Sequence, residues 1–177
     1  MKNDYEIRGD VTAIFIKSQK FGDDEVLIST SKLEMMKSYS GSWHLNRYPG
    51  LSYSYCQGSY VDSKNKRRSV KLHRFITNAP EGMVVDHINH DTLNNTDENL
   101  RVCTISENQQ NRNGVCKNSK SGIRGVYWDK RIKKWVARMT LNGKYKHLGH
   151  FTDLKEAELA AIESRRLYMP FSKEYVS

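Results

Sequence analysis

The segment from Leu72 to Arg112, LHRFITNAPEGMVVDHINHDTLNNTDENLRVCTISENQQNR, constrains the fold more than any other part of the chain, because its apolar residues come in short bursts. Leu72, Phe75 and Ile76 recur at helical spacing, and Ala79-Pro80 followed by Gly82 stops that element. Met83, Val84 and Val85 then form a short strand. Asp86 and His87 fall at its end, where side chains converge on a pocket instead of being buried in a sheet. A polar loop, INHDTLNNTDEN, leads into a second strand, LRVCT. Thr104, with Glu107 three residues on, has the pattern of a capping box that opens a helix, and Asn108 lies in about its first turn. Strand, loop, strand and helix place an acid, an imidazole and carboxamides at the corners of one small unit.

The preceding residues are strand-rich. Val11–Ile16 and Glu25–Thr30 are β-branched runs separated by KSQKFGDD, which predicts a hairpin. SKLEMMKSY makes a short helix if Ser31 and Glu34 act as a capping box, and SGSWHLNRY returns to extended chain. LSYSYCQGSYV and RRSVKL flank the polar turn VDSKNKR and predict a second hairpin. Lys64, Lys66, Arg67 and Arg68 at its tip read as solvated. Tyr48, Tyr53, Tyr55 and Tyr60 read as packing for a sheet face, so no chemistry is assigned before residue 72. The role expected of this region is a small sheet against which the next segment packs.

The net charge of +9 is unevenly distributed. Residues 1–110 are balanced, with 14 Lys and Arg against 14 acids, whereas residues 111–150 carry 11 against 1. Solubility alone does not require such concentration; neutralising phosphates in a groove does. Cys56, Cys103 and Cys116 are odd in number and never spaced CxxC, so they build neither a disulfide framework nor a four-cysteine zinc site. The chain has no apolar run of the ~18 residues a membrane span needs and no apolar segment near Met1. A cytoplasmic location and no membrane partner are expected.

The central segment resembles the HNH endonuclease family, whose fold is a ββα-metal unit. The residues that carry the resemblance are LHR at 72–74, VDHIN at 85–89, NN at 94–95, DENLR at 97–101 and SENQQN at 106–111. Asp86 and Asn108 match the metal ligands of that family, His87 its general base, and Asn99 its middle asparagine, which holds the loop and orients the imidazole. The implied cofactor is Mg²⁺ or Mn²⁺, a hard cation held by few protein oxygens, with no structural zinc. His90 stands where relatives often have glycine and is read as a loop residue. His73 is read as structural. Arg101 suits either a phosphate or the loop acids.

After the polar linker NGVCKNSKSG come IRGVYW, KKWVARMTLNGKYKHLGHF and a helix from about Leu154 to Tyr168. Asn142-Gly143 marks a hairpin between the second and third strands. Asp153 and Glu156 open the helix, and Leu154, Ala157, Ala161 and Ile162 give it one apolar face. This segment resembles the DNA-binding domain of plant ethylene-response factors, on RGVYW, KWVARM, HLGHF and EAELAA. Alternation turns Trp135, Ala137 and Met139 toward the helix and Lys134, Val136, Arg138 and Thr140 outward. By the resemblance, Arg124, Tyr127, Lys134, Arg138, Tyr145 and His147 face DNA. Lys130, Arg131 and Lys133, in the loop between the first two strands, grip phosphates. Tyr127 and Asp129 replace arginines of the plant proteins, and Lys146 takes a usually apolar position, so base preference does not carry over.

The expected fold class is α+β: a β-rich module at 1–71, an HNH ββα-metal unit at 72–113, a linker at 114–122, and a three-stranded antiparallel sheet with one packed helix at 123–177. The expected function is metal-dependent cleavage of double-stranded DNA by a homing-type endonuclease of the kind phages carry, acting in the host cytoplasm as a monomer or weak dimer. The alternative is a site-specific DNA-binding regulator that keeps the HNH fold without cutting. An RNA-binding protein is the third reading, disfavoured because Trp135 is expected to face inward.

Overall fold

In the computed structural model, which describes residues 1–19, 22–47, 53–112, 115, 118–141 and 143–172, the two β-branched runs pair as antiparallel strands β2 (Val11–Ile16) and β3 (Asp24–Ser29). β2 is the inner strand between β3 and an additional strand, β1 (Tyr5–Arg8); β2 is buried along most of its length, whereas β1 is exposed along its whole length. Its alternation, Tyr5-Glu6-Ile7-Arg8, runs for only four residues, too short to announce a strand by itself.

The next residues form a 3-10 turn over Thr30–Lys32 and a short helix, α1 (Leu33–Lys37). The expected Ser31–Glu34 capping box does not form. The Ser31 hydroxyl donates instead to Asp97 at 3.3 Å, and Glu34 pairs with Lys37 at 2.8 Å. A partner distant in sequence replaces the local one.

The second hairpin joins β5 (Ser54–Val61) to β6 (Arg67–Lys71), with β4 (His44–Arg47) on the other side of β5. Asp62 organises its turn by accepting from the Lys64 and Lys66 amides and pairing with Arg68. Helix α2 (Leu72–Thr77) follows directly and ends at Asn78, whose φ of +47° is left-handed, one residue before the expected stop.

The chain forms two compact units, Met1–Thr104 and Ile105–Ser177. In the first, strand β7 (Val84–His87) pairs with β9 (Leu100–Cys103), and the two-residue strand β8 (Asn94–Asn95) joins β3 in parallel. One core serves all of it. Ile14, Ile16, Val26, Ile28, Met36 and Trp43 from the lead-in pack with Leu72, Ile76 and Leu100. Tyr39, Trp43 and Phe75 form an aromatic group with centroids 4.5–5.9 Å apart.

The second unit begins with α3 (Ile105–Gln110). Strands β10 (Val126–Asp129), β11 (Lys134–Leu141) and β12 (Lys144–Phe151) make an antiparallel sheet covered by α4 (Leu154–Tyr168). Asp153 caps α4 by accepting from the amides of Lys155 at 2.8 Å and Glu156 at 3.1 Å. Val126, Ala137, Ala157 and Ala161 form the core, with Trp135 and Leu154 against it. Two expectations are corrected. Val136, assigned outward, is buried between its cross-strand neighbours Tyr127 and His150. The buried face of α4 is continued by Arg165, whose guanidinium donates to the Arg124 carbonyl at 2.9 Å, while Ile162 is only half-buried. Tyr48, Cys116 and Asn142 lie outside the described residues. The architecture is mixed α+β, with a three-stranded sheet and helix at the C-terminal end.

Candidate functional site

β7 and β9 pair so that Asp86 stands opposite Arg101 and His87 opposite Leu100. Neighbouring strand residues point to opposite faces, so His87 shares its face with the core residue Leu100 while Asp86 shares the other with Arg101. Both are buried, at 7% exposure for Asp86 and 5% for His87. This corrects the expectation that a strand-end position leaves them in an open pocket: β5 and α2 cover the His87 face with Tyr55 and His73, and Arg101 lies against Asp86 on the other.

The His87 imidazole is fixed from several sides. Its Nε2 lies 3.3 Å from Asn95 Oδ1, and the Asn95 amide nitrogen donates to the Leu93 and Thr92 carbonyls at 3.1 and 3.4 Å. That bonding turns the Asn95 oxygen toward the ring, so Nε2 carries the proton of the neutral imidazole and Nδ1 is the basic nitrogen. His73 on α2 packs edge-on against the ring at 5.1 Å, and Tyr55 on β5 lies 5.4 Å from His73 and 6.1 Å from His87. Burial lowers the pKa of His87, against the opposing influence of Asn95, Asp86 and Asp91. Burial, followed by the proximity of His87, brings His73 down to about 3. Both rings are therefore neutral at pH 7, the state in which a histidine accepts a proton.

Asn99 organises the loop. Its Oδ1 accepts from the Asn89 amide at 2.9 Å and its Nδ2 donates to the Asn94 carbonyl at 2.7 Å, while its own carbonyl accepts from Ile88 at 2.8 Å. The carboxamide that meets the imidazole belongs to Asn95. The loop is also fastened to both N-terminal sheets: Thr92 donates to the Ser54 carbonyl at 2.6 Å, and the Leu27 amide to the Leu93 carbonyl at 2.9 Å. His90 has φ +67°, a left-handed conformation that explains why glycine suits its place. Sequence reasoning missed Asn95, His73 and Tyr55 as neighbours of His87. The available signal for His73 was a polar residue beside Leu72 on the buried side of a helix.

Asp86 Oδ2 accepts from Arg101 Nε at 2.9 Å and Nη2 at 2.6 Å, so the second of the two roles open to Arg101, an ion pair, is the one observed, with an acid of the strand rather than of the loop. Asn108 is half-buried on α3, in the second unit. Among the described residues no three His, Cys, Asp or Glu side chains come together. A carboxylate oxygen completed by water suits a hard ion that keeps most of its hydration shell.

In the second unit, register places Tyr127, Lys134, Arg138, Tyr145 and His147 on the sheet face opposite α4, all exposed. Arg138 stacks between two tyrosines, its guanidinium carbon 4.9 Å from the Tyr127 centroid and 5.0 Å from that of Tyr145. A register shift between Ala137 and Arg138 re-aims the strand at this point. Gly125 faces it: at φ +83° a Cβ there would collide with the Arg138 carbonyl oxygen, whereas the Arg138 amide donates to the Gly125 carbonyl at 2.8 Å. Lys130, Arg131 and Lys133 are exposed in the β10–β11 loop, where Asp129 pairs with Arg131 at 3.4 Å. Lys146 lies 3.5 Å over the Tyr168 ring of α4, which accounts for a lysine at a usually apolar position.

Arg124 differs from the other expected DNA contacts. Its guanidinium donates to the carbonyls of Gln110 and Arg112 at 2.8 Å and of Gln109 at 3.2 Å, capping the C-terminal end of α3. The exposed rings of Tyr127 and Tyr145 also remove the main sequence argument against an RNA ligand, since the inward Trp135 is not the relevant aromatic.

The HNH endonuclease family matches residues 77–110 and the AP2 domain family residues 121–168. Protein 3.8 of Escherichia phage T7 is 33% identical over 87 residues, covering 49% of this chain and 70% of the relative. An uncharacterized HNH endonuclease of Acanthamoeba polyphaga mimivirus is 26% identical over 151 residues, covering 82% of this chain and 71% of the relative. No solved structure matches. Two domain matches in the order and at the positions where the buried acid-histidine strand and the basic sheet are found identify the chain as a member of the HNH endonuclease family, a DNA nuclease with an AP2 DNA-binding domain behind its nuclease motif.

Proposed function

We propose that the protein is a metal-dependent DNA endonuclease of the homing type, in which residues 72–113 cut and the sheet-and-helix domain at 123–177 selects the site. The observation that carries this reading is His87: buried, held neutral, oriented by Asn95, and adjacent in β7 to the acid that would hold a metal. His87 takes the proton of the attacking water on Nδ1 while the Asn95 carboxamide fixes Nε2–H, so that the ring neither tilts nor changes tautomer. Burial by Tyr55 and His73 excludes bulk water and limits the proton's destinations. Asn99 keeps the loop closed under the imidazole and makes no bond to substrate. Asp86 and Asn108 are the oxygen donors that the family pattern supplies. A bound Mg²⁺ or Mn²⁺ supplies relief of charge on the phosphate and on the departing 3′ oxygen.

The outward sheet face and the β10–β11 loop divide DNA recognition. Lys130, Arg131, Lys133 and Lys134 neutralise phosphates, and Arg138, with Tyr127, Tyr145 and His147, meets base edges. Arg124 supports α3 rather than DNA. Viral relatives fit a protein that acts in the cytoplasm of a host cell; in this reading it acts as a monomer or weak dimer.

The test is conversion of supercoiled DNA bearing candidate target fragments, with Mg²⁺, with chelator, and with His87→Ala. Cleavage only with metal, lost in His87→Ala while gel-shift binding persists, is the expected result. Tight binding by wild type without cleavage of any DNA, including its own flanking sequence, would leave a DNA-binding regulator instead.

A further inference from the structure

Asp86 and Arg101 form a directly opposed cross-strand ion pair, with two guanidinium N–H groups on one carboxylate oxygen at 2.9 and 2.6 Å. Their side chains are 8% and 17% exposed. A carboxylate buried this far is costly without a counter-charge, so some cation must accompany it when no metal is present. A divalent ion on the same oxygen would face the guanidinium at short range, and the two positive charges repel where little water screens them. The two cations therefore compete for this oxygen of Asp86.

We propose that Arg101 is the resident counter-ion of Asp86, displaced when the divalent cation binds, and that its released guanidinium then holds the phosphodiester. The inference rests on Asp86 being a metal ligand. The exchange keeps the carboxylate paired throughout. It also delivers a planar, multi-donor cation to the substrate only when metal is present, because the fork that grips one carboxylate oxygen also fits two phosphate oxygens. Substrate binding at the cutting centre thereby becomes coupled to metal loading through one side chain.

The experiment is titration of the full-length protein with Mn²⁺ alone, followed by calorimetry, for wild type, Arg101→Gln and Asp86→Asn, with melting curves in chelator and in Mn²⁺. Removing the competing charge should tighten Mn²⁺ binding by Arg101→Gln on the order of tenfold. The same variant should melt below wild type in chelator and be raised more by Mn²⁺. At saturating Mn²⁺ its cleavage should show a higher KM for DNA. A variant that folds only when Mn²⁺ is added supports the exchange equally; one that stays unfolded with Mn²⁺, or binds Mn²⁺ no tighter than wild type, overturns it. If wild type and Asp86→Asn bind Mn²⁺ alike, the assignment of Asp86 as a ligand falls, and the exchange with it. If only the wild-type and Arg101→Gln affinities coincide, the assignment survives and the exchange does not.

Discussion

The two units hold their functional groups in opposite ways. Around His87 every neighbour is buried or half-buried and the groups hold one another: Asn95 on the ring nitrogen, His73 against its edge, Arg101 on the adjacent acid. On the sheet of the second unit, Arg138, Tyr145, His147, Lys130 and Lys133 are exposed, with Arg138 stacked between its two tyrosines and His147 against His150. Proton transfer needs a group of fixed geometry and set pKa, which desolvation provides. Gripping a charged polymer needs cations that give up water only on contact.

The largest effect expected from breaking this contrast is at His87. His87→Ala should lower single-turnover cleavage by about 10²–10⁴-fold, with DNA affinity unchanged in a gel shift. A comparable loss of binding would show that the buried ring serves the fold rather than proton transfer. The acid limb of the cleavage profile should have its midpoint below the ordinary histidine value of about 6.5, because burial lowers the His87 pKa.

Replacing Lys130, Arg131 and Lys133 together by Gln tests the exposed side. If each meets one phosphate, the slope of log affinity against log salt should fall by about 0.9 per residue, and affinity near 0.1 M salt by roughly 10²-fold. Cleavage of saturating DNA should be unaffected. An unaltered salt slope would return these residues to the ordinary solvated surface.

Arg138→Ala should be smaller and different in kind. A stacked guanidinium has little freedom to lose, so its removal should cost about 1–3 kcal/mol against the preferred base at one position and relax selectivity there. Uniform weakening on all sequences, with a shallower salt slope, would mark Arg138 as a phosphate contact.

The smallest effect expected is on stability. His73 has a native pKa of about 3, well below its unfolded value. The unfolded chain therefore takes up a proton first as pH falls through about 6.5, and the folded state loses about 1.4 kcal/mol per pH unit below that until His73 itself titrates. Urea unfolding at pH 7.0 and 5.5 measures it. His73→Phe should remove the His73 share of the dependence and leave that of His87, whose pKa burial also lowers; an equally steep loss in that variant would assign the acid sensitivity to another group.

Local patterns made much of this structure legible. Both N-terminal hairpins, helix α2 after the second, the Asp86-His87 strand and the Asp153 cap of α4 follow from periodicity, turn residues and capping, all of which act within a few residues. The concentration of charge in residues 111–150 located the cationic surface, since electrostatic attraction to phosphates depends on charge density before any side chain is placed. What the tertiary structure alone decided are the partners. Ser31 bonds to Asp97 rather than to Glu34, Asn95 rather than Asn99 meets the imidazole, Arg101 occupies Asp86, and Arg124 caps α3. Each pairing depends on strand register or on the folding of one element over another. A shift of one residue in register reverses which face a side chain occupies, and nothing in the immediate sequence of an asparagine or arginine states which distant carbonyl or carboxylate it will reach.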